Sequence, residues 1–206
     1  MKISTSTIRR LSIYLRQLEN LQEEGLATVS SAHLAELAQV KDTQLRKDLS
    51  FFGSFGVRGR GYAVENLVNS IRSILGLDQE WKAVLFGAGS LGRALAGYRG
   101  FEKHNIRIAA IVDVDPSKVG QMIGDISVEA LEKLKKIRER TDARIAVIAV
   151  PAPAALEVTK EVLAAGFDGI VNFAPVRLHL PENIALYSVD LSIAFENITY
   201  KLKGGK

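Results

Sequence analysis

Cysteine is absent from the 206 residues, which excludes disulfides, zinc ribbons and thiolate chemistry. Any redox role must therefore rest on a bound cofactor. Histidine is scarce, and His33, His104 and His179 form no recognisable pair or triad. No Ser or Lys has a base at motif spacing. The proton relay that a dehydrogenase needs for its substrate is thus missing, and the chain is expected to bind rather than to turn over. No metal site is expected. Long apolar runs are also lacking: the longest weakly polar stretch, Ile145 to Leu156, falls short of the roughly 18 residues that span a bilayer. The opening Met-Lys-Ile-Ser-Thr has no apolar core of the signal-peptide kind. A cytoplasmic protein without a membrane partner is expected.

The length suits one large or two small domains, each able to bury its own core. A net charge of +4 points to a polyanionic partner only if the cations cluster. They do. Residues 41–61 hold Lys41, Arg46, Lys47, Arg58 and Arg60 against two carboxylates, Asp42 and Asp48.

That cluster lies in a half with helical grammar, expected as a domain over residues 1–79. Ile8, Leu11, Leu15, Leu18 and Leu21 recur at three- and four-residue steps, which predicts a helix that Gly25 ends. Ser30 or Ser31 offers an N-cap for a short helix turning Leu34, Leu37 and Ala38 inward. A tight break at 39–41 follows, and Asp42 is expected to cap a third helix running to about Phe52. At 100° per residue, Leu45, Leu49 and Phe52 share one face. Thr43, Lys47 and Ser50 point away from it, flanked by Gln44 and Arg46. An apolar stripe inward with polar and basic groups outward suits a recognition helix in a major groove. Gly53, Gly56, Gly59 and Gly61 punctuate the next segment, which predicts a small hairpin. Arg58 and Arg60, two apart, would project from one face of it toward phosphates or the minor groove. A helix over about 65–75 closes this half. A solvated helix beside an ordinary glycine-rich hairpin is the plainer alternative.

From Trp81 the pattern changes, and residues 80–206 are expected as a second domain. Short apolar runs at 83–86, 108–112, 145–150, 170–173 and 185–189 alternate with helical stretches at 91–103, 127–140 and 153–165. Such alternation predicts a parallel sheet covered on both faces. The first strand ends in Gly87-Ala88-Gly89-Ser90-Leu91-Gly92. Gly87 permits the tight turn, Gly89 lets backbone approach a pyrophosphate, and Gly92 lets helix pack on strand. Amides at the helix start would face the anion. The hexapeptide alone is weak evidence, but Asp113 ends the next strand 21 residues after Gly92, close to the spacing of a ribose-binding acid. A carboxylate there would repel a 2′-phosphate, and no Arg stands immediately beside it, so NAD(H) is favoured over NADP(H). Asp115 is the alternative acid, or else caps the turn before Pro116. Val150-Pro151-Ala152-Pro153 and Asn172-Phe173-Ala174-Pro175 sit at strand ends where ligands of such sheets bind, or are simply loops in which Pro stops a strand.

Three blocks of the first half look like the winged-helix domain of the Rex redox-sensing repressors: the run from Ser30 through Ala35, Leu45 through Gly56, and Arg60-Gly61-Tyr62. Gly87–Gly92, Val112–Pro116, Val150–Pro153 and Asn172-Phe173-Ala174-Pro175-Val176-Arg177 resemble the family's NADH domain. The likeness spans nearly the whole chain. It implies a winged-helix domain followed by a Rossmann doubly wound parallel sheet, in a homodimer that binds palindromic operator DNA when NADH is scarce. It adds Ser31 to the DNA-facing set of Thr43, Gln44, Arg46, Lys47, Ser50, Arg58 and Arg60. It implies that Val150, Pro151, Phe173 and Ala174 line a dry pocket favouring NADH, with NAD⁺ a weaker competitor. It also implies that a C-terminal helix over 190–202 is swapped between subunits. Leu191, Ala194, Phe195, Ile198 and Leu202 give that helix one apolar stripe, which could equally pack on its own sheet. Arg16, Tyr98 and Asp190 match the family's switch, in which Asp190 exchanges partners between Tyr98 and Arg16. Tyr98 and Asp190 would also border the nicotinamide. Where a basic residue would aid the pyrophosphate this chain has Ser90, and Arg93 is the candidate substitute. A small oxidoreductase and a nucleotide-gated protein adaptor remain as readings of another class.

Overall fold

In the computed structural model, residues 3–57 and 60–204 are described. The chain divides into two compact units, Met1–Gln79 and Glu80–Lys206.

The first unit opens with α1 (Thr5–Glu23), capped by Ser4, whose hydroxyl accepts the Thr7 amide. Gly25, with φ at +80°, lets the chain turn out of it in the left-handed region that glycine tolerates. After β1 (Thr28–Val29) come α2 (Ser31–Leu37) and α3 (Asp42–Ser50), then β2 (Gly56–Val57), β3 (Gly61–Ala63) and α4 (Val64–Ile74). Ser30 is the cap of α2, accepting from the His33 amide. Asp42 does not cap α3 as expected: Lys41 holds the N-cap position, and the Asp42 carboxylate instead pairs with Arg46 one turn on, at 2.7 Å. The sequence shows no sign of β1, only two residues long, yet it completes a three-stranded sheet in the order β1-β3-β2. Gly61 makes the pairing possible, since a Cβ there would strike the Val29 carbonyl. Leu11, Leu15 and Leu18 of α1, Leu34, Leu45, Leu49, Tyr62 and Ile71 form one apolar core.

The second unit is a seven-stranded sheet. It comprises β4 (Trp81–Phe86), β5 (Ile106–Asp113), β6 (Met122–Ile123), β7 (Ile126–Ala130), β8 (Ile145–Ile148), β9 (Gly169–Asn172) and β10 (Ala185–Ser188). Its order is β10-β9-β8-β4-β5-β7-β6, parallel except where β6 runs against β7. Helices α5 (Ser90–Ala96), α6 (Leu134–Thr141), α7 (Ala152–Ala164) and α8 (Ser192–Leu202) complete it. Ala83, Val84, Leu85 and Phe86 of β4 are all buried, as a central strand covered on both faces requires.

Two expected helices are cut short. The stretch at 91–103 stops at Gly97 and resumes as a 3-10 turn over Arg99–His104, because glycine weakens a helix interior. The stretch at 127–140 starts as strand, since Ile126, Val128 and Ala130 alternate at period two and residues Val128 to Ala130 pair with β5; helix begins only at Leu134.

Candidate functional site

The order reverses at β4. From it β5 and β7 run one way, β8 and β9 the other, and the crevice at such a reversal is where open parallel sheets take their ligands. The glycine loop lies there. Gly87 has φ at +105°, and a Cβ on it would overlap the Ala149 carbonyl and press on Val150, so the loop lies directly against the end of β8. A Cβ on Gly92 would overlap the Gly87 carbonyl, which explains why helix and strand can close so tightly. Above Gly89 there is open space, and no side chain caps the start of α5. Such a cradle accepts another molecule's backbone-contacting group.

Asp113, at the end of β5, is only 7% exposed. Its Oδ2 accepts the Ala88 amide at 2.7 Å and its Oδ1 the Asp115 amide at 2.9 Å. Burial works against its ionisation, but these amides and the Lys118 ammonium outweigh it and hold the carboxyl below the usual carboxylate range. Asp115 is spent on its own turn, accepting from the Ser117 amide and hydroxyl. Of the two candidate acids, Asp113 is the one aimed at the loop.

On the other side of the crevice, Val150 and Phe173 are half-buried, Ala174 is buried and Pro151 is exposed. The Phe173 amide donates to Ile148 O, which ties the two strand ends together. The sequence reading missed Asn172. Its buried side chain accepts the Ala174 amide at 3.0 Å and donates to the Ala174 and Val176 carbonyls at 3.1 and 3.0 Å. It staples the loop that presents Phe173 and Ala174. An Asn ahead of a Pro turn was the available signal. Arg93, a candidate for the pyrophosphate, has a guanidinium nitrogen on Gln121 at 2.6 Å. Tyr98 is exposed and meets Phe101 edge-on. Asp190 is exposed and caps the entry to α8 through the Ser192 amide and hydroxyl.

In the first unit, Leu45 and Leu49 turn α3 inward, while Thr43, Arg46, Lys47 and Ser50 stand exposed on its far side. Ser31 is half-buried and lines, with Arg46, Ser50 and Tyr62, a groove of about 440 Å³ between α3 and the hairpin. Arg60 is exposed, whereas Arg58 lies outside the described residues. Gln44 is half-buried and donates to Asp48. Arg16 is exposed on α1. An exposed row of cations beside a groove is a surface for a polyanion.

Residues 2–50 match the family model for a putative DNA-binding protein N-terminus, and residues 78–176 match the CoA binding domain model. A redox-sensing transcriptional repressor Rex from Carboxydothermus hydrogenoformans is 43% identical over 98% of this chain and 97% of its own length. The chain belongs to the Rex family. The Rex protein of Streptomyces coelicolor is 44% identical over 96% of this chain and 77% of its own. Among solved Rex structures, RSP in complex with beta-NAD+ and operator DNA superposes with a TM-score of 0.93, at 35% identity and 98% and 94% coverage. RSP in complex with beta-NADH gives 0.90, at 34% identity and 98% and 95% coverage. The Rex fold, a DNA-binding unit followed by a Rossmann-type parallel sheet, is thus the fold of this chain.

Proposed function

We propose that this chain is a homodimeric repressor that grips palindromic operator DNA while NADH is scarce and lets go when NADH fills the crevice around β4. The supporting observation is the pairing, in one Rex-family chain, of an exposed basic face on α3 with a glycine cradle beside a buried Asp113.

The residues divide the work. Thr43, Lys47 and Ser50 read base edges, while Arg46, Arg58, Arg60 and Ser31 hold phosphates and set register. At the other site Asp113 takes the ribose hydroxyls, and the backbone of Gly87, Ala88, Gly89, Ser90, Leu91 and Gly92 admits the pyrophosphate. The oxidised nicotinamide ring carries a positive charge that the reduced ring lacks. Walls made by Val150, Pro151, Phe173 and Ala174 offer the charged ring nothing in exchange for its hydration, so NADH is preferred and NAD⁺ competes weakly.

The exposed face of α8 supports a dimer. Phe195 is 74% and Leu202 82% exposed, with Leu191 and Ile198 also uncovered; the helix does not pack on its own sheet. Burying a side chain of this size is worth about 1.5–3 kcal/mol, so a stripe of four favours a covering partner. A second copy that swaps α8 supplies one. Asp190, at the foot of the swapped helix, then exchanges between Tyr98 and Arg16 as the dimer opens and closes. Operator binding needs two recognition helices about 34–36 Å apart, and the NADH-bound form misplaces them. The test is a mobility shift on a palindromic duplex with NADH, NAD⁺ and NADPH in turn. Release by NADH at concentrations where the other two leave the complex intact supports the proposal; indifference to all three removes it.

A further inference from the structure

Helix α3 carries a carboxylate that is hidden from solvent. Asp48 is 0% exposed, and its two oxygens accept four hydrogen bonds from three side chains. Oδ2 receives Arg10 Nε at 2.5 Å and the Tyr14 hydroxyl at 2.8 Å. Oδ1 receives the second Arg10 nitrogen at 2.7 Å and Gln44 Nε2 at 2.9 Å. That fills the acceptor capacity of a carboxylate. Arg10 is tied in turn to Thr7 at 3.2 Å, inside the capped first turn of α1.

We infer that Asp48, gripped by Arg10 and Tyr14, is a positioning residue that fixes the roll of the recognition helix α3 for operator reading. The inference rests on the repressor function proposed above. On the α3 wheel at 100° per residue, Asp48 lies between the buried pair Leu45 and Leu49 and the outward Lys47. The apolar pair seats the helix, but hydrophobic contact is non-directional and resists rotation about the axis weakly. The bidentate Arg10 fork is directional, and its fixed planar geometry holds the flank of α3 to α1. With side-chain tips about 5–6 Å from the axis, a roll of about 20° would move a base-reading group by about 2 Å, enough to break a hydrogen bond. Attraction of Arg46 and Arg60 to phosphates would survive that shift. The clamp therefore serves discrimination among sequences more than affinity for DNA in general. Gln44 also belongs to the clamp, since one N–H of its amide is donated to Asp48.

Losing one partner of a buried pair destabilises a protein, whereas replacing both by apolar groups is often neutral or stabilising, and this separates positioning from folding. The probe is a duplex selected by the wild-type full chain from a random-sequence pool, compared with a scrambled duplex of equal length. Melting and NADH binding are measured alongside. Asp48→Asn should melt lower and lose preference for the selected duplex. The double variant Arg10→Met with Asp48→Leu should stay folded, with the buried Tyr14 hydroxyl left without its acceptor, and should hold the scrambled duplex as wild type does. Its preference should nevertheless fall by at least about tenfold, the discrimination that one bidentate base contact supplies. A folded double variant with undiminished preference overturns the inference while leaving the repressor function standing. A wild-type chain that selects no sequence overturns both.

Discussion

The Lys118 ammonium lies 3.2 Å from Asp113 Oδ2 and 3.6 Å from Asp115 Oδ2, so the acid expected to meet a ribose already has a cation at its side. With both inner lone pairs of Asp113 taken by backbone amides, Lys118 covers one of the remaining outward positions. Lys118→Met should widen discrimination between NADH and NADPH. A 2′-phosphate brings about two negative charges toward Asp113, and Lys118 is the cation placed to offset them. Competitive titration should show NADPH weakened by about tenfold relative to NADH.

Asp113→Ala should spare operator binding and blunt the response to NADH, because the residue belongs to the second unit and its carboxylate bonds to the glycine loop and to the turn that follows it. A mobility shift with increasing NADH measures this. Loss of DNA binding in the absence of nucleotide would show that the two roles are not divided as described.

On the DNA side, Lys47→Ala and Arg60→Ala should differ in kind. The first should lower affinity for the operator by about tenfold and relax specificity. The second should weaken every duplex alike and reduce the slope of log affinity against log salt by about one. Affinities at several salt concentrations, on operator and scrambled DNA, separate the two.

Phe195→Glu should place a charge on the uncovered stripe of α8 and disrupt the dimer. Light scattering would then report half the wild-type mass. Operator affinity should fall by about a hundredfold, as expected when two linked half-site contacts become one.

Acid should unlock the clamp on α3. Burial alone would raise the Asp48 carboxyl, but the bonds from Arg10, Tyr14 and Gln44 prevail and depress it below its ordinary 3.8. A depressed carboxyl contributes stability fully above its unfolded value and loses it as pH falls through the folded one. Wild-type melting temperature should therefore drop below about pH 4 more steeply than that of the Arg10→Met, Asp48→Leu double variant. Parallel melting curves from pH 6 down to pH 2 test the difference.

Much of this molecule could be read from its sequence, and what could not has physical causes. Leu45, Leu49 and the outward Lys47 announce α3 because an amphipathic helix repeats every 3.6 residues. The glycine loop and Asp113 are legible because a strand, a turn and a helix must follow in that order. Lys118 could not be read by adjacency to Asp113, since only the turn through Asp115 and Pro116 folds it back. The Asp-Pro pair was its one trace. Asp48 looked like a surface charge offsetting the basic cluster, because nothing local reveals that Arg10 and Tyr14, more than 30 residues earlier, will bury it. The strand at 126–130 was hidden within a helical stretch because short apolar runs fit either period.

Two sites that oppose each other are linked, and the linkage is measurable from either side. NADH affinity should be determined by calorimetry with and without saturating operator duplex. Operator should weaken NADH binding by the same factor by which NADH weakens operator binding. Equal NADH affinities in the two titrations would contradict it.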